Sequence, residues 1–313
     1  MEFSVLISTI VLMAILILSG IILARFTEPT MEVRRFMMTL IINVALPSII
    51  LYGIFQLEVD SQLFRQVLMV FISAVTISVF GLFFTYGVAK WVGKDQSKVP
   101  EMAFLGGLGN TGIVGIPLCT ALFGAKGALF AAIFDTGMCI TMWTLGVYIL
   151  NRKNAFFSWA SIKGILTPPL LAAVSGLILA ALNLRPTGII YRVVESFAHL
   201  TAPLSMMYVG LLIYLMYKNR SFQSLGMVSV PLLMKLIFLP ALVLLILTQI
   251  PFEETIKMVI LVQATMPCLT TASIIMARFG RDENFAALTT LISIILSLLT
   301  IPGMLLVGRT VLF

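Results

Sequence analysis

Charge is scarce in this sequence. Of 313 residues, 20 are Lys or Arg and 13 are Asp or Glu, 11 % in all, while 60 % are hydrophobic. The mean hydropathy is +1.10, which excludes a soluble domain and marks an integral membrane protein. Cysteine occurs three times, as Cys119, Cys139 and Cys268, always inside an apolar run and without CxxC or His-paired spacing. The three read as packing residues, with neither disulfide nor metal implied. The single histidine, His199, has no partner at ligand spacing, so no zinc site is expected. A GxxxxGK[ST] loop is also missing, which leaves an ATP-driven pump unsupported. Two cooperating aspartates, a Ser/His pair and a metal cluster are lacking too. The chain is therefore not expected to be an enzyme, and no cofactor is expected.

What the sequence has in quantity is long apolar runs. About ten can be counted: Phe3 to Ala24, Phe36 to Phe55, Leu68 to Val92, Met102 to Leu122, Ala128 to Leu150, Ile165 to Leu184, Val193 to Tyr217, Leu225 to Thr248, Ile256 to Ala277 and Phe285 to Val307. About 20 residues in a helix cross the roughly 30 Å hydrocarbon layer, so the expected architecture is an all-α membrane protein of about ten spans. The first run is acid-flanked at Glu2 and lacks a small-residue cleavage site. It reads as a retained span, with the mature protein beginning near Met1.

The net charge of +7 would suit nucleic acid in a soluble chain, but here it sits in short loops. Loops after spans 1, 3, 5, 7 and 9 carry Arg25, Arg34, Arg35, Lys90, Lys94, Lys98, Arg152, Lys153, Lys163, Lys218, Arg220, Arg278 and Arg281. The opposite side carries only Arg65, Lys126, Arg185, Arg192, Lys257 and Arg309, while Lys235 lies within a span. This asymmetry is a topology signal rather than a nucleic-acid patch. It predicts a multi-pass protein of the cell (inner or plasma) membrane with both termini outside.

The chain also repeats itself. "LSGIILA" at Leu18 to Ala24 matches "VSGLILA" at Val174 to Ala180, an offset of 156. The same offset sets "NVALPS" against "HLTAPL", Pro47 on Pro203, "LFG" at Leu122 to Gly124 on "RFG" at Arg278 to Gly280, and Ala131 on Ala287. Five spans per copy is an odd number, so the second copy enters the membrane from the opposite side. The expected organisation is a first five-helix repeat at 1–152 and a second, inverted one at 153–313.

Both copies interrupt the same helix. The fourth run contains "GNTGIVGIP" at Gly109 to Pro117, and the offset places its Thr111 on Pro267, within "VQATMPCLTTAS" of the ninth. Broken backbone at membrane depth is tolerated only where it is buried in protein or lines a polar cavity. Paired breaks at equivalent places mark the substrate site of a secondary transporter. Pro117 and Pro267 are each placed to start the second half-helix, whose free N–H groups and partial positive charge favour an anion. Glycines that allow close helix packing, with prolines that merely kink, are the plainer alternative.

Other polar residues inside the spans are candidates. Asn43 and His199 are equivalents under the 156 offset, and each precedes its proline by one turn. They line the pocket or satisfy the carbonyl that the proline frees. Asp135, roughly 12 Å deep in span 5, is the one acid clearly within a span. Such an acid is a candidate for proton coupling, and a structural link to Lys235 is the alternative.

"GNTGIVGIPLCTALFG" and "QATMPCLTTASIIMARFGRDENFAALTTLISIILSLLTIP", with "NVALPSII" and "TAPLSMMYVG", resemble the auxin efflux carrier family of the bile/arsenite/riboflavin transporter superfamily. The likeness covers essentially the whole chain. Plant PIN-FORMED carriers are similar but have a long central loop that is absent here, so the chain looks like a compact prokaryotic member. The resemblance implies a ten-span carrier of organic anions such as malate, malonate or auxins, with spans 4 and 9 crossing at the substrate site. The crossing motif maps onto Asn110, Thr111, Gly112 and Pro117, and onto Gln263, Thr265 and Pro267. It further implies a scaffold of spans 1, 2, 6 and 7 that forms a homodimer and lets the rest move as an elevator. An anion channel and a neutral-solute carrier are the alternatives.

The orientation is checked with single cysteines in a cysteine-free background. Positions 94 and 153 should react only with reagents that reach the cytoplasm, and position 126 only from outside. The opposite pattern would invert the topology.

Overall fold

A computed structural model describes residues 3–58, 60–92, 95–151, 166–218 and 225–312. Lys94, Arg152, Lys153, Lys163 and Arg220, and the expected repeat boundary at 152/153, lie outside the described residues. The described residues are almost entirely helical, and two of them, Gly109 and Cys268, form an isolated β-bridge.

The helices, in chain order, are α1 (Phe3–Thr27), α2 (Met31–Phe55), α3 (Ser61–Val92), α4 (Val99–Gly107), α5 (111–123), α6 (125–150), α7 (Pro168–Ala181), α8 (Gly188–Lys218), α9 (Gly226–Gln249), α10 (Glu254–Ala264), α11 (Ala272–Arg278) and α12 (Glu283–Leu312). Among the described residues six stretches are long and apolar enough to cross a membrane: Met31–Phe55, Ser61–Val92, Thr111–Leu150, Gly188–Leu215, Gly226–Gln249 and Glu283–Leu312. Pro168–Ala181 is a shorter apolar helix, and α1 is apolar over Val11–Thr27. Thr111–Leu150 counts as one stretch of 40 residues, which at about 1.5 Å per residue is twice the hydrocarbon thickness. Gly124 breaks it, with φ 60° and ψ −140°, a conformation that glycine adopts without a Cβ penalty. Gly280, 156 residues on, also has a left-handed φ of 65°. There it closes α11 as a Schellman cap, in which the Arg281 N–H donates to Met276 O at 2.8 Å and the Gly280 N–H to Ala277 O at 3.1 Å.

Prolines shape these helices without ending them. In α2, α5 and α9 a short π-helical segment (Ile41–Ala45, Thr111–Gly115, Met234–Phe238) runs up to two residues before Pro47, Pro117 and Pro240. A proline ring collides with the carbonyl four residues back and offers no N–H, and widening the preceding turn relieves both problems.

The chain forms two compact units. The first comprises Met1–Phe71, Gly112–Thr136 and Leu166–Tyr217, and so gathers α1, α2, α7 and α8 with α5 and the start of α6. Its close contacts come in pairs at the 156 spacing. A Cβ on Gly20 would collide with Met207 O, and one on Gly176 would stand 3.0 Å from Leu51 Cδ2, where Leu51 and Met207 are 156 apart. Likewise Gly210 approaches Gly20 and Ile17, while its counterpart Ile54 touches Gly176. The Thr201 hydroxyl donates to Ala45 O at 2.8 Å, again 156 residues away. Small residues let helix backbones meet closely in a membrane, where packing rather than the hydrophobic effect holds helices together.

The second unit comprises Ile72–Thr111, Gly137–Ile165 and Lys218–Phe313. Leu82, Phe104, Leu105, Met138, Met142, Met276 and Phe285 lie in its apolar core. A polar clamp holds one end. Lys98 Nζ bonds Asp282 at 2.6 Å and Glu101 at 3.2 Å, the Asp282 N–H donates to Glu101 at 3.3 Å, and Arg281 donates to Leu150 O at 2.9 Å. Burial works against the Asp282 charge, but the Lys98 ammonium and the Phe285 N–H outweigh it and hold the carboxyl below its ordinary 3.8. Burial likewise opposes the Lys98 charge, and the two carboxylates outweigh it, raising that group above 10.5.

The signs give a window. A depressed acid stabilises the fold above its unfolded pKa and loses that contribution as pH falls through the folded one; a raised lysine contributes below its unfolded pKa and loses it as pH rises through the folded one. The clamp should therefore hold from about pH 4 to about pH 10. In thermal melts Asp282→Asn should lower Tm across this range and narrow the gap to wild type on acidification below it.

Candidate functional site

The two breaks predicted from sequence lie in the structure. In the second unit α4 ends at Gly107, Leu108 is extended (φ −114°, ψ 143°), and helix resumes at Thr111. α10 ends at Ala264, and Thr265 to Thr271 separate it from α11. The two interruptions meet. Gly109 and Cys268 pair as an antiparallel bridge, and the Asn110 N–H donates to Pro267 O at 2.8 Å. The Asn110 amide donates to the Thr270 hydroxyl at 3.4 Å, and the Cys268 N–H donates to Ser293 Oγ at 3.0 Å. Thr290 Oγ1 donates to Leu269 O at 3.1 Å, and Thr265 Oγ1 to Val262 O at 2.6 Å. Backbone freed by breaking both helices is thus paired across the breaks or capped by hydroxyls, as burial in an apolar core demands.

Asn110, Thr111, Gln263, Thr265 and Pro267 all belong to this second unit, and the four polar ones are each at most 3 % exposed. One detail differs from expectation. Pro267 does not open the following half-helix, because α11 starts only at Ala272, whereas Pro117 is the second residue of the α-helical turns that follow the π-helical Thr111–Gly115. Lacking an N–H, Pro267 contributes its carbonyl to the crossing instead, as the acceptor for Asn110.

A residue that the sequence offered only as a structural partner for Asp135 also reaches the crossing. Lys235, from the π-helical segment of α9, is 4 % exposed and donates to Ala264 O at 3.3 Å. It thereby caps the negative end of α10. A Cβ on Gly109 would stand 2.8 Å from both Cε and Nζ of this lysine, so the glycine makes room for the ammonium. The sequence signal was slight: a lysine at mid-run, with nothing to mark its partners.

The first unit holds the remaining candidates. Asp135 on α6 is 7 % exposed and packs on the start of α5, where a Cβ on Gly112 would lie 3.2 Å from Oδ1 and 3.3 Å from Oδ2. Pro117 lies within the same α5. Asn43 and His199 are exposed, and neither makes a hydrogen bond among the described residues; the His199 ring meets Tyr52 edge-on at 5.6 Å. No group of three or more His, Cys, Asp or Glu able to hold a metal occurs among the described residues.

The contact at Gly112 is tight. Gly112→Val should destabilise the protein by about 1–3 kcal/mol, the range for overpacking a filled site, and lower Tm in detergent, whereas Gly303→Ala, with open space around it, should not.

Comparison with known proteins fits this arrangement. A family of membrane transport proteins matches residues 34–159 and 156–305. An uncharacterized transporter of Methanothermobacter thermautotrophicus is 25 % identical over 294 residues, covering 94 % of this chain and 95 % of the relative. An uncharacterized transporter of Methanocaldococcus jannaschii is 25 % identical over 209 residues, 64 % of this chain and 67 % of the relative. With a family match over most of the chain and helices long enough to cross a membrane several times, this multi-pass chain belongs to the membrane transport protein family of auxin-efflux-carrier type.

Proposed function

We propose that the protein is a secondary transporter or uniporter of a small organic anion, a carboxylate of the size of malate, malonate or an auxin. The observation that carries this reading is the buried crossing of two broken helices, with Asn110, Thr265 and Thr270 beside it and the Lys235 ammonium at its edge. A pocket that offers hydrogen-bond donors and positive charge in an apolar core selects for anions.

Two inverted five-helix repeats, 1–152 and 153–313, complete the proposal. The paired contacts at Gly20 and Gly176, the Thr201 bond to Ala45 and the left-handed glycines at 124 and 280 support them, all at one offset. Spans 1, 2, 6 and 7 form the homodimer scaffold, and the gathering of α1, α2, α7 and α8 into one unit supports that grouping. Transport follows an elevator-type alternating access with both termini outside. Asp135, Gly112, Pro117, Asn43 and His199 complete the functional set, with Asp135 as the proton-coupling residue. Family membership favours transport over catalysis. A channel would build its filter from symmetric subunits around a pore, whereas here both breaks lie in one chain.

A thermal-shift screen of the purified protein against mono- and dicarboxylates and neutral solutes tests the anion reading. A ligand at 100 times its Kd stabilises the fold by about 2.7 kcal/mol, so a carboxylate should raise Tm measurably. Asn110→Ala should abolish both that shift and flux into proteoliposomes while the protein still elutes as a folded species. Flux equal to wild type in this variant, or stabilisation by neutral solutes alone, would overturn the reading.

A further inference from the structure

Three charged side chains are buried among the described residues: Glu101, Asp135 and Lys235. Glu101 is paired with Lys98. Lys235 is the buried cation, and among the described residues it makes no ion pair. Its hydrogen-bond partner is the neutral carbonyl of Ala264 at 3.3 Å. An ammonium held in an apolar core without a counterion is strongly unfavourable. The C-terminal end of α10 offsets this only in part, because a helix end carries about half an elementary charge.

The surroundings make room for the side chain. Gly109 lacks the Cβ that would collide with Nζ. The Asn110 amide and the Thr270 hydroxyl, both neutral, lie in the same crossing. The other basic residues described in this unit, Lys90, Lys98, Lys257, Arg278, Arg281 and Arg309, are exposed or only partly buried.

We propose that Lys235 is the charge partner of the transported anion and sets a one-charge rule: the site takes a monocarboxylate in preference to a dicarboxylate or a neutral analogue. One carboxylate neutralises the one buried ammonium. A second carboxylate on the same ligand would be buried without a counterion, and an amide in place of the acid would leave the ammonium unpaired. Lys235 thus determines specificity, while the crossing supplies the neutral donors. This rests on the reading that the crossing binds the substrate.

The test is a binding titration of purified wild type, Lys235→Met and Lys235→Gln with lactate and lactamide, indole-3-acetate and indole-3-acetamide, and malonate. Size-exclusion profiles and unliganded Tm report folding, and Lys235→Gln serves should Lys235→Met fail to fold. In wild type a monocarboxylate should bind more tightly than both its amide and malonate. In the variants its affinity should fall about thirtyfold or more, as for removal of one partner of a buried charge pair, while the amide binds no more weakly than before. Retention of monocarboxylate affinity within about threefold, a parallel loss for acid and amide, or tighter binding of malonate in wild type would overturn the role of Lys235 and leave the carrier reading standing. Binding of none of these acids to wild type would overturn the carrier reading itself.

Discussion

Peptide groups in a hydrocarbon layer find their hydrogen bonds inside the protein or go without. Nearly every feature of this chain follows from that constraint. Long helices satisfy it segment by segment. Two places do not: Leu108 to Asn110 and Thr265 to Thr271 leave helix in the core of one unit. They are tolerable because they meet. The Gly109–Cys268 bridge and the Asn110 to Pro267 bond replace helical bonds with bonds between the breaks, while Ser293 and Thr290 cap what is left. Once such a crossing exists it exposes amides, hydroxyls and helix ends to one another at a depth where little else is polar. The proposed substrate site is this crossing.

Close approach of backbones is the second requirement, and glycine meets it. Gly20 and Gly210 bring α1 and α8 backbone to backbone, and Gly176 of α7 makes room for the Leu51 and Ile54 side chains of α2, in contacts that recur at one spacing. Gly81 and Gly107 do the same for α3 and α4, bringing the first break against a long apolar helix. Gly109 has a different task, since what occupies its missing Cβ is the head of Lys235. Packing glycines and a site glycine thus look alike in the sequence and differ in what they face.

The breaks were legible because Gly, Asn and Pro are poor helix formers and stand out in an apolar run. The 156-residue spacing was legible too, and it reappears in contacts that no single motif encodes. The points of helix resumption were less so. Proline was taken as the mark of a half-helix start: Pro117 stands second in the α-helix from Ile116, behind a π-helical turn, but the stretch after Pro267 stays non-helical as far as Thr271. Lys235 was hidden for a simpler reason. Its position beside Ala264 and Gly109 is a matter of tertiary packing between segments 29 and 126 residues apart, and a lone lysine in an apolar run carries no sign of what it will face. Asn43 and His199 were legible only as a choice, lining the pocket or satisfying a freed carbonyl; in the structure both are exposed, and it is Thr201 that bonds a carbonyl of α2.

The central claim is that the breaks of the two sequence halves touch at Gly109 and Cys268. Bridged β-pairs hold their Cα atoms about 4.5–5.5 Å apart, inside the range a disulfide spans. Gly109→Cys in a chain that keeps Cys268 and has Cys119 and Cys139 replaced by Ser, with a protease site inserted between residues 152 and 165, puts this to measurement. After mild oxidation and cleavage the two halves should migrate together on a denaturing gel and separate on reduction. Halves that separate under oxidising conditions would contradict the crossing on which the account stands.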